Sequence, residues 1–184
     1  MKYAATRANS QESETKPRVG IEQEMDKNSK ERALELFQKA YEAQMQGELD
    51  RAVELYQSSI DTLPTAEAHT FLGWTYHFQG KTEDAIVECQ RAIEVDPEFG
   101  NPYNDIGAYL IELGRPDEAI PWLERATRAR RYDPRHFPYF NLGRAYFAKG
   151  MFLRARECFR DALRIEPRYA LARQAVENLR RMMN

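Results

Sequence analysis

An all-α array of antiparallel helix pairs is predicted for this 184-residue chain by three observations. Apolar residues recur at three- and four-residue spacing from Ser29 onward, the period of an amphipathic helix. Glycine and proline are scarce, 9 of each, whereas an all-β fold must turn about every 8 to 12 residues. One pattern of small residues, aromatics and prolines also returns four times, its starting positions 33, 34 and 36 residues apart. With 42% hydrophobic and 30% charged residues the chain has material for a core and is not a disordered polyelectrolyte.

Residues 1–28 are polar and charged, with Pro17 and Gly20 as breakers and only scattered apolar residues such as Val19, Ile21 and Met25. Such a stretch buries too little to offset its ordering entropy, so it is expected to be a flexible arm. As flexible chain its apolar residues come within reach of the first repeat. Asn28-Ser29 followed by Glu31 and an apolar run reads as a capped helix start.

The repeat then runs from Ala40 through Gly47, Ala52, Tyr56 and Ser59 to Pro64. It recurs from Gly73 through Gly80, Ala85, Cys89 and Ala92 to Pro97, and from Gly143 through Gly150, Ala155, Phe159 and Ala162 to Pro167. The copy starting at Gly107 keeps Gly114, Ala119, Leu123 and Ala126, but its proline, Pro134, arrives three residues late. The extra residues, Arg130-Arg131-Tyr132-Asp133, are expected to lengthen the preceding helix or loop out after it. Gly73, Gly107 and Gly143 sit mid-helix at a cost of about 1 kcal/mol each, which makes sense where another helix crosses too closely for a side chain. Ala52, Ala85, Ala119 and Ala155 are the expected small partners of that crossing. Gly47, Gly80, Gly114 and Gly150 fall where each first helix must stop, and glycine accepts the left-handed turn that ends it. The prolines close the second helices. Each hairpin cannot bury its apolar faces alone and must stack on its neighbours.

The units are therefore placed at about 33–65, 66–99, 100–135 and 136–167, followed by a capping helix over 168–184 with Leu171, Ala175, Val176 and Leu179 on one side.

The period and the marks His69-x-x-Leu72-Gly73-x-x-Tyr76, Tyr103-x-x-Ile106-Gly107-x-x-Leu110 and Tyr139-x-x-Leu142-Gly143-x-x-Tyr146 resemble the tetratricopeptide repeat family. The first copy departs most, with Lys39-Ala40 for Leu-Gly and Ala43 for the aromatic. The resemblance implies a right-handed α-solenoid whose first helices line a concave surface that holds a partner peptide. It points to the stripe of each first helix turned away from its own second helix. Phe37 and Tyr41 lie on that stripe in the first unit, Phe71, Trp74, His77 and Phe78 in the second, Asn104 in the third, and Phe140, Asn141, Arg144 and Phe147 in the fourth. Three- and four-residue spacing places each set on one helix face. Two readings of these rings compete: packing between neighbouring first helices, or a rimmed aromatic patch that marks an interaction site. Trp74 and Phe140 are the expected anchors. Members of the family that bind chaperone tails grip a terminal carboxylate with lysines, arginine and asparagines; Phe37, Tyr41, Phe71 and Asn101 stand where much of that clamp would be, with Asn141 and Arg144 the only similar residues. An apolar or aromatic segment is the better expected ligand.

Nothing in the sequence supports catalysis, a cofactor or a metal site. His69, His77 and His136 show no helical i, i+4 pair and no H-E-x-x-H, and there is no G-x-S-x-G or phosphate loop. Cys89 and Cys158 form no C-x-x-C; Cys89 reads as a small core residue. These cysteines fit a reducing compartment, and the chain holds no apolar run of signal-peptide or bilayer-spanning length. A cytoplasmic protein that does not insert in a membrane is expected.

The net charge of −2 hides an asymmetry. From Gly114 onward stand 16 of the 27 Lys plus Arg but only 8 of the 29 Asp plus Glu, a balance of +8, leaving −10 before it. In a solenoid these halves become opposite ends. Three functions follow as expectations: an adaptor that binds another protein or peptide in its groove; an arginine-rich surface at Arg125, Arg128, Arg130 and Arg131 that binds nucleic acid or another polyanion; and a structural subunit that assembles end to end. RNA binding interleaves aromatics with basic residues. Here they fall mostly on different faces, which favours the adaptor and disfavours nucleic acid.

Overall fold

The computed structural model describes residues 17–183, and among these it contains nine α-helices. They are α1 (Pro17–Met45), α2 (Leu49–Thr62), α3 (Ala66–Phe78), α4 (Thr82–Val95), α5 (Asn101–Glu112), α6 (Pro116–Arg128), α7 (His136–Ala148), α8 (Phe152–Ile165) and α9 (Ala170–Met182). Each helix packs on its neighbours in sequence, and first helices also meet, α1 on α3 and α5 on α7. The result is an all-α repeat solenoid.

One boundary differs from expectation. Helix α1 begins at Pro17, twelve residues before the Ser29 start read from the cap signal. Proline is tolerated at the first helical position, where its missing N–H has no partner to lose, and the pair Asp26–Lys30 at 2.6 Å supports the added turns. The part of the expected arm over 17–28 is thus helical, and the flexible-chain reach assigned to Val19, Ile21 and Met25 does not apply to it. Residues 1–16 of that arm lie outside the described residues.

The turns within each pair repeat one device. At Gly80, φ is 78° and its N–H donates to the His77 carbonyl at 2.8 Å while Lys81 N–H reaches Tyr76 at 2.9 Å, so the last carbonyls of α3 are satisfied. Gly150 repeats it at φ 71° after α7.

The glycines at the helix crossings behave as expected, with a different partner. Ala52, Ala85, Ala119 and Ala155 are fully buried, but at Gly107 and Gly143 the residue that faces the glycine lies one turn later. A Cβ on Gly107 would overlap Leu123, and one on Gly143 would overlap the Phe159 ring. At Gly73 it would meet the Ala85 carbonyl at 3.1 Å and Cys89 Sγ at 3.3 Å. The alanines let the helices approach; the larger side chains then fill the space over the glycine.

The extra residues of the third unit loop out after α6 and fold back. Arg131 N–H donates to the Glu98 carbonyl at 3.0 Å, and Gly100 N–H to the Arg131 carbonyl at 3.0 Å. Tyr132 is buried, and its side chain occupies the space a Cβ on Gly100 would need. At the C-terminal end α9 closes the array through Ala172 and Leu179, with Ala175 and Val176 partly buried. Leu171, expected on that face, is exposed because the helix is rotated to present Ala172 instead.

Candidate functional site: the face of the first helices

Helices α1, α3, α5 and α7 present a continuous surface on the side away from their partners. At its N-terminal end the rings interlock: Phe71 lies 5.1 Å from Phe37, 5.8 Å from Tyr41 and 4.6 Å from Trp74, measured between centroids. Phe37 also packs edge-on to the buried Tyr56 at 5.5 Å. Phe37 and Phe71 are therefore largely packing between units, as one of the two readings required. Tyr41 and Phe78, at 44% and 62% exposed, stand open to solvent. Below Phe37 a cavity of about 310 Å³ runs between Leu34, Leu63 and Thr65, with Lys30 and Glu67 at its edge.

The middle of the face is polar and internally bonded. Trp74 Nε1 donates to Asp105 Oδ2 at 2.6 Å, and Asn104 Nδ2 to Asp105 Oδ1 at 3.3 Å. Asn141 Nδ2 donates to Asn104 Oδ1 at 2.9 Å, and Arg144 Nη1 to Asn141 Oδ1 at 3.0 Å. Every donor in this line points toward Asp105, so the amide dipoles run in one direction from guanidinium to carboxylate. No cation lies within ion-pair distance of Asp105 among the described residues, and burial pushes its carboxyl up from 3.8 to about 6, with the bonds from Trp74 and Asn104 opposing that rise. His77 stacks on Tyr109 at 4.4 Å, with Nε2 3.4 Å from Glu112.

At the C-terminal end a second cavity, of about 340 Å³, opens between α5, α7, α8 and α9. Ile111, Phe140, Phe147, Phe159 and Ala175 form its apolar walls, and Arg144 is the one charged residue lining it. Phe140 is held by Phe159 at 5.4 Å and by Tyr169 at 5.0 Å. Phe147 remains 41% exposed.

Tetratricopeptide repeat models match residues 66–99 and 99–167, together more than half of the chain. The chain belongs to the tetratricopeptide repeat family. Among solved structures it is similar to the Pseudomonas aeruginosa pilF protein, with TM-score 0.77 and 22% identity over 83% of this chain and 69% of that one. It is also similar to PilW, described as a widely conserved type IV pilus biogenesis factor, with TM-score 0.74 and 18% identity over 82% and 69%. A third is YrrB, a tetratricopeptide protein with an unusual peptide-binding site, with TM-score 0.63 and 23% identity over 86% and 81%. At these identities the likeness is one of fold. No curated protein matches the sequence significantly.

Neither expected anchor stands fully open on the tetratricopeptide array. Trp74 and Phe140 are both half-buried, the first tied to Asp105 and the second wedged between α8 and the start of α9. Asn104 and Asn141 are buried and bonded to each other. Missed from the sequence were Asp105 as an unpaired carboxylate and the walls that Phe159, Ala175 and Asn178 lend the second cavity. Those come from α8 and α9, and the spacing along a first helix carries no signal of them.

Two of the four arginines of the expected basic surface meet acids of the second unit. Arg131 meets Glu67 and Asp96 at 2.6 Å each and lies 4.4 Å above the Phe99 ring, strapping the folded-back loop to the second unit. Arg130 is 3.5 Å from Glu98, and Arg125 lies over the Tyr103 and Trp122 rings at 5.8 Å. Arg128 is exposed and has no ion-pair partner among the described residues. All four remain exposed, the Arg130 side chain at 88%, and Arg131 alone is held at hydrogen-bonding distance by acids of the second unit. Elsewhere, His69 Nδ1 lies 2.8 Å from Glu88, which also holds Arg91 at 2.6 Å, a buried tie between α3 and α4.

Proposed function

We propose that this protein is an adaptor that binds an apolar or aromatic segment of a partner protein along the face of its first helices and performs no chemistry of its own. Tetratricopeptide repeats are protein interaction modules, and the observation that carries the finer reading is the uncovered row on that face. Tyr41, Met45, Phe78 and Phe147 are 44%, 68%, 62% and 41% exposed, on three of the four first helices. Exposed apolar side chains at both ends of one face of a folded chain are what a partner covers. YrrB, with the same fold, has a peptide-binding site. A cytoplasmic setting accords with the free Cys89 and Cys158, the second with a thiol pushed up to about 11 by burial.

The test is capture of partners with the wild type beside Tyr41→Ala/Phe78→Ala. Both side chains are exposed, so helicity should be unchanged while capture falls. Capture unaffected by the double change would remove the groove reading. Trp74→Ala and Phe140→Ala are poorer probes, since each also removes packing.

A further inference from the structure

We propose that the cavity at the C-terminal end of the face, built around Arg144, takes an apolar side chain with an adjoining acidic residue, so that the partner's bound segment is acidic as well as apolar. The inference rests on the groove reading and specifies its chemistry.

Three observations carry it. The walls are fixed hydrocarbon, since Phe140 is braced by Phe159 and Tyr169, and about 340 Å³ is room for one or two large side chains. The sole charge at this lining is Arg144. Its Nη1 is tethered by Asn141 Oδ1, which aims the guanidinium, and no carboxylate lies within ion-pair distance of it among the described residues. Two arginines that reach across to a neighbouring unit have found acids there: Arg115 has Glu83 beside its own Glu118, and Arg131 has Glu67 and Asp96. Arg144 stands instead beside rings, with four N–H donors left over from its bond to Asn141. A guanidinium held in place next to a dry wall recognises a planar oxyanion better than a neutral group, through charge-assisted paired bonds. The surrounding half of the chain, at +8, adds a field of the same preference. The groove continues from α7 past α5 to α3, so the occupant is an internal stretch of chain whose carboxylate belongs to a Glu or Asp side chain.

Three labelled, N-acetylated peptides test this by fluorescence anisotropy. The first carries Phe-Leu-Glu-Phe between Gly-Ser flanks and ends in an amide; the second has Gln for the Glu; the third is the Gln form with a free C-terminal carboxylate. At low salt the Glu form should bind about fivefold tighter or better than the Gln amide, as a charge-assisted pair outweighs a neutral one. In Arg144→Gln, with helicity checked by circular dichroism, that preference should collapse to about twofold or less. Arg144→Lys should retain part of it, because the charge stays and the fork is lost. Phe147→Ala should weaken both amides equally. Equal binding of the Glu and Gln amides to the wild type overturns the proposal, as does a preference that survives in Arg144→Gln, or no binding at millimolar peptide. A free-terminus Gln peptide that binds as tightly as the Glu form overturns the internal acidic residue in favour of a chain end. If Tyr41→Ala/Phe78→Ala abolishes partner capture while Arg144→Gln leaves it intact, the groove reading stands and this one falls; if neither matters, both fall.

Discussion

Replacing Asp105 by asparagine keeps the side-chain shape on α5 and removes a charge that the fold has not paired. Burial lifts the carboxyl from its ordinary 3.8 to about 6. In the native state the group therefore holds its proton over a window, about pH 4 to 6, in which the unfolded chain has released it. More protons on the folded form means that stability falls as pH rises through that window. A shift of about two units corresponds to about 3 kcal/mol at 1.36 kcal/mol per unit. Against this, an asparagine oxygen still accepts from Trp74 Nε1, but the 3.3 Å bond from Asn104 is lost or turned, at about 1 kcal/mol. The net expectation for Asp105→Asn near pH 7.5 is a gain of about 1 to 2 kcal/mol. For a chain of this size that raises the melting temperature by about 2 to 8 °C. The advantage should shrink steadily below pH 6 and be gone near pH 4, where the wild-type group is neutral. Thermal unfolding followed by circular dichroism at several pH values reads both parts. A variant less stable than wild type at pH 7.5, or a difference independent of pH, would refute the account of Asp105 as a buried, uncompensated charge.

Three further outcomes are expected. Gly143→Ala forces a methyl into the Phe159 ring and should cost about 1 to 2 kcal/mol in urea unfolding despite alanine's better helix propensity; a stabilised variant would show that the ring has room to move. With its thiol pushed up to about 11, Cys158 should react slowly with a disulfide reagent near pH 8, and the fully buried Cys89 more slowly still, both becoming fast in urea. The opposed charges of the two halves should give end-to-end association at low salt that fades at about 1 M, where the screening length is about 3 Å. Arg128→Glu should weaken that association in sedimentation, and a monomer at every salt concentration would leave the asymmetry without that role. Arg131 is unsuited to the same test, because it straps the inserted loop in place.

Much of this molecule is legible along the chain because the forces that set it are local. A period near 3.6 residues, a glycine where a helix turns left-handed, a proline after each second helix and a small residue at each crossing are read one unit at a time. In a solenoid sequence order is also spatial order, so the stacking of the units and the separation of charge follow from the same reading. What acts between units was not legible. The same stripe on α3 holds Phe71, sunk among the rings of α1 and α2, and Phe78, left open, and only the neighbouring unit decides which is which. Asp105 looks like any polar residue of an exposed face until Trp74 and Asn104 close over it and no cation arrives. Arg131 looks like part of a basic patch until the loop turns it onto Glu67, 64 residues earlier. Leu171 and Ala172 exchange roles by the small rotation with which α9 docks. Periodicity determines which face of a helix is apolar; how much of that face remains uncovered is set by contacts distant in sequence, because burial depends on what arrives from the other side.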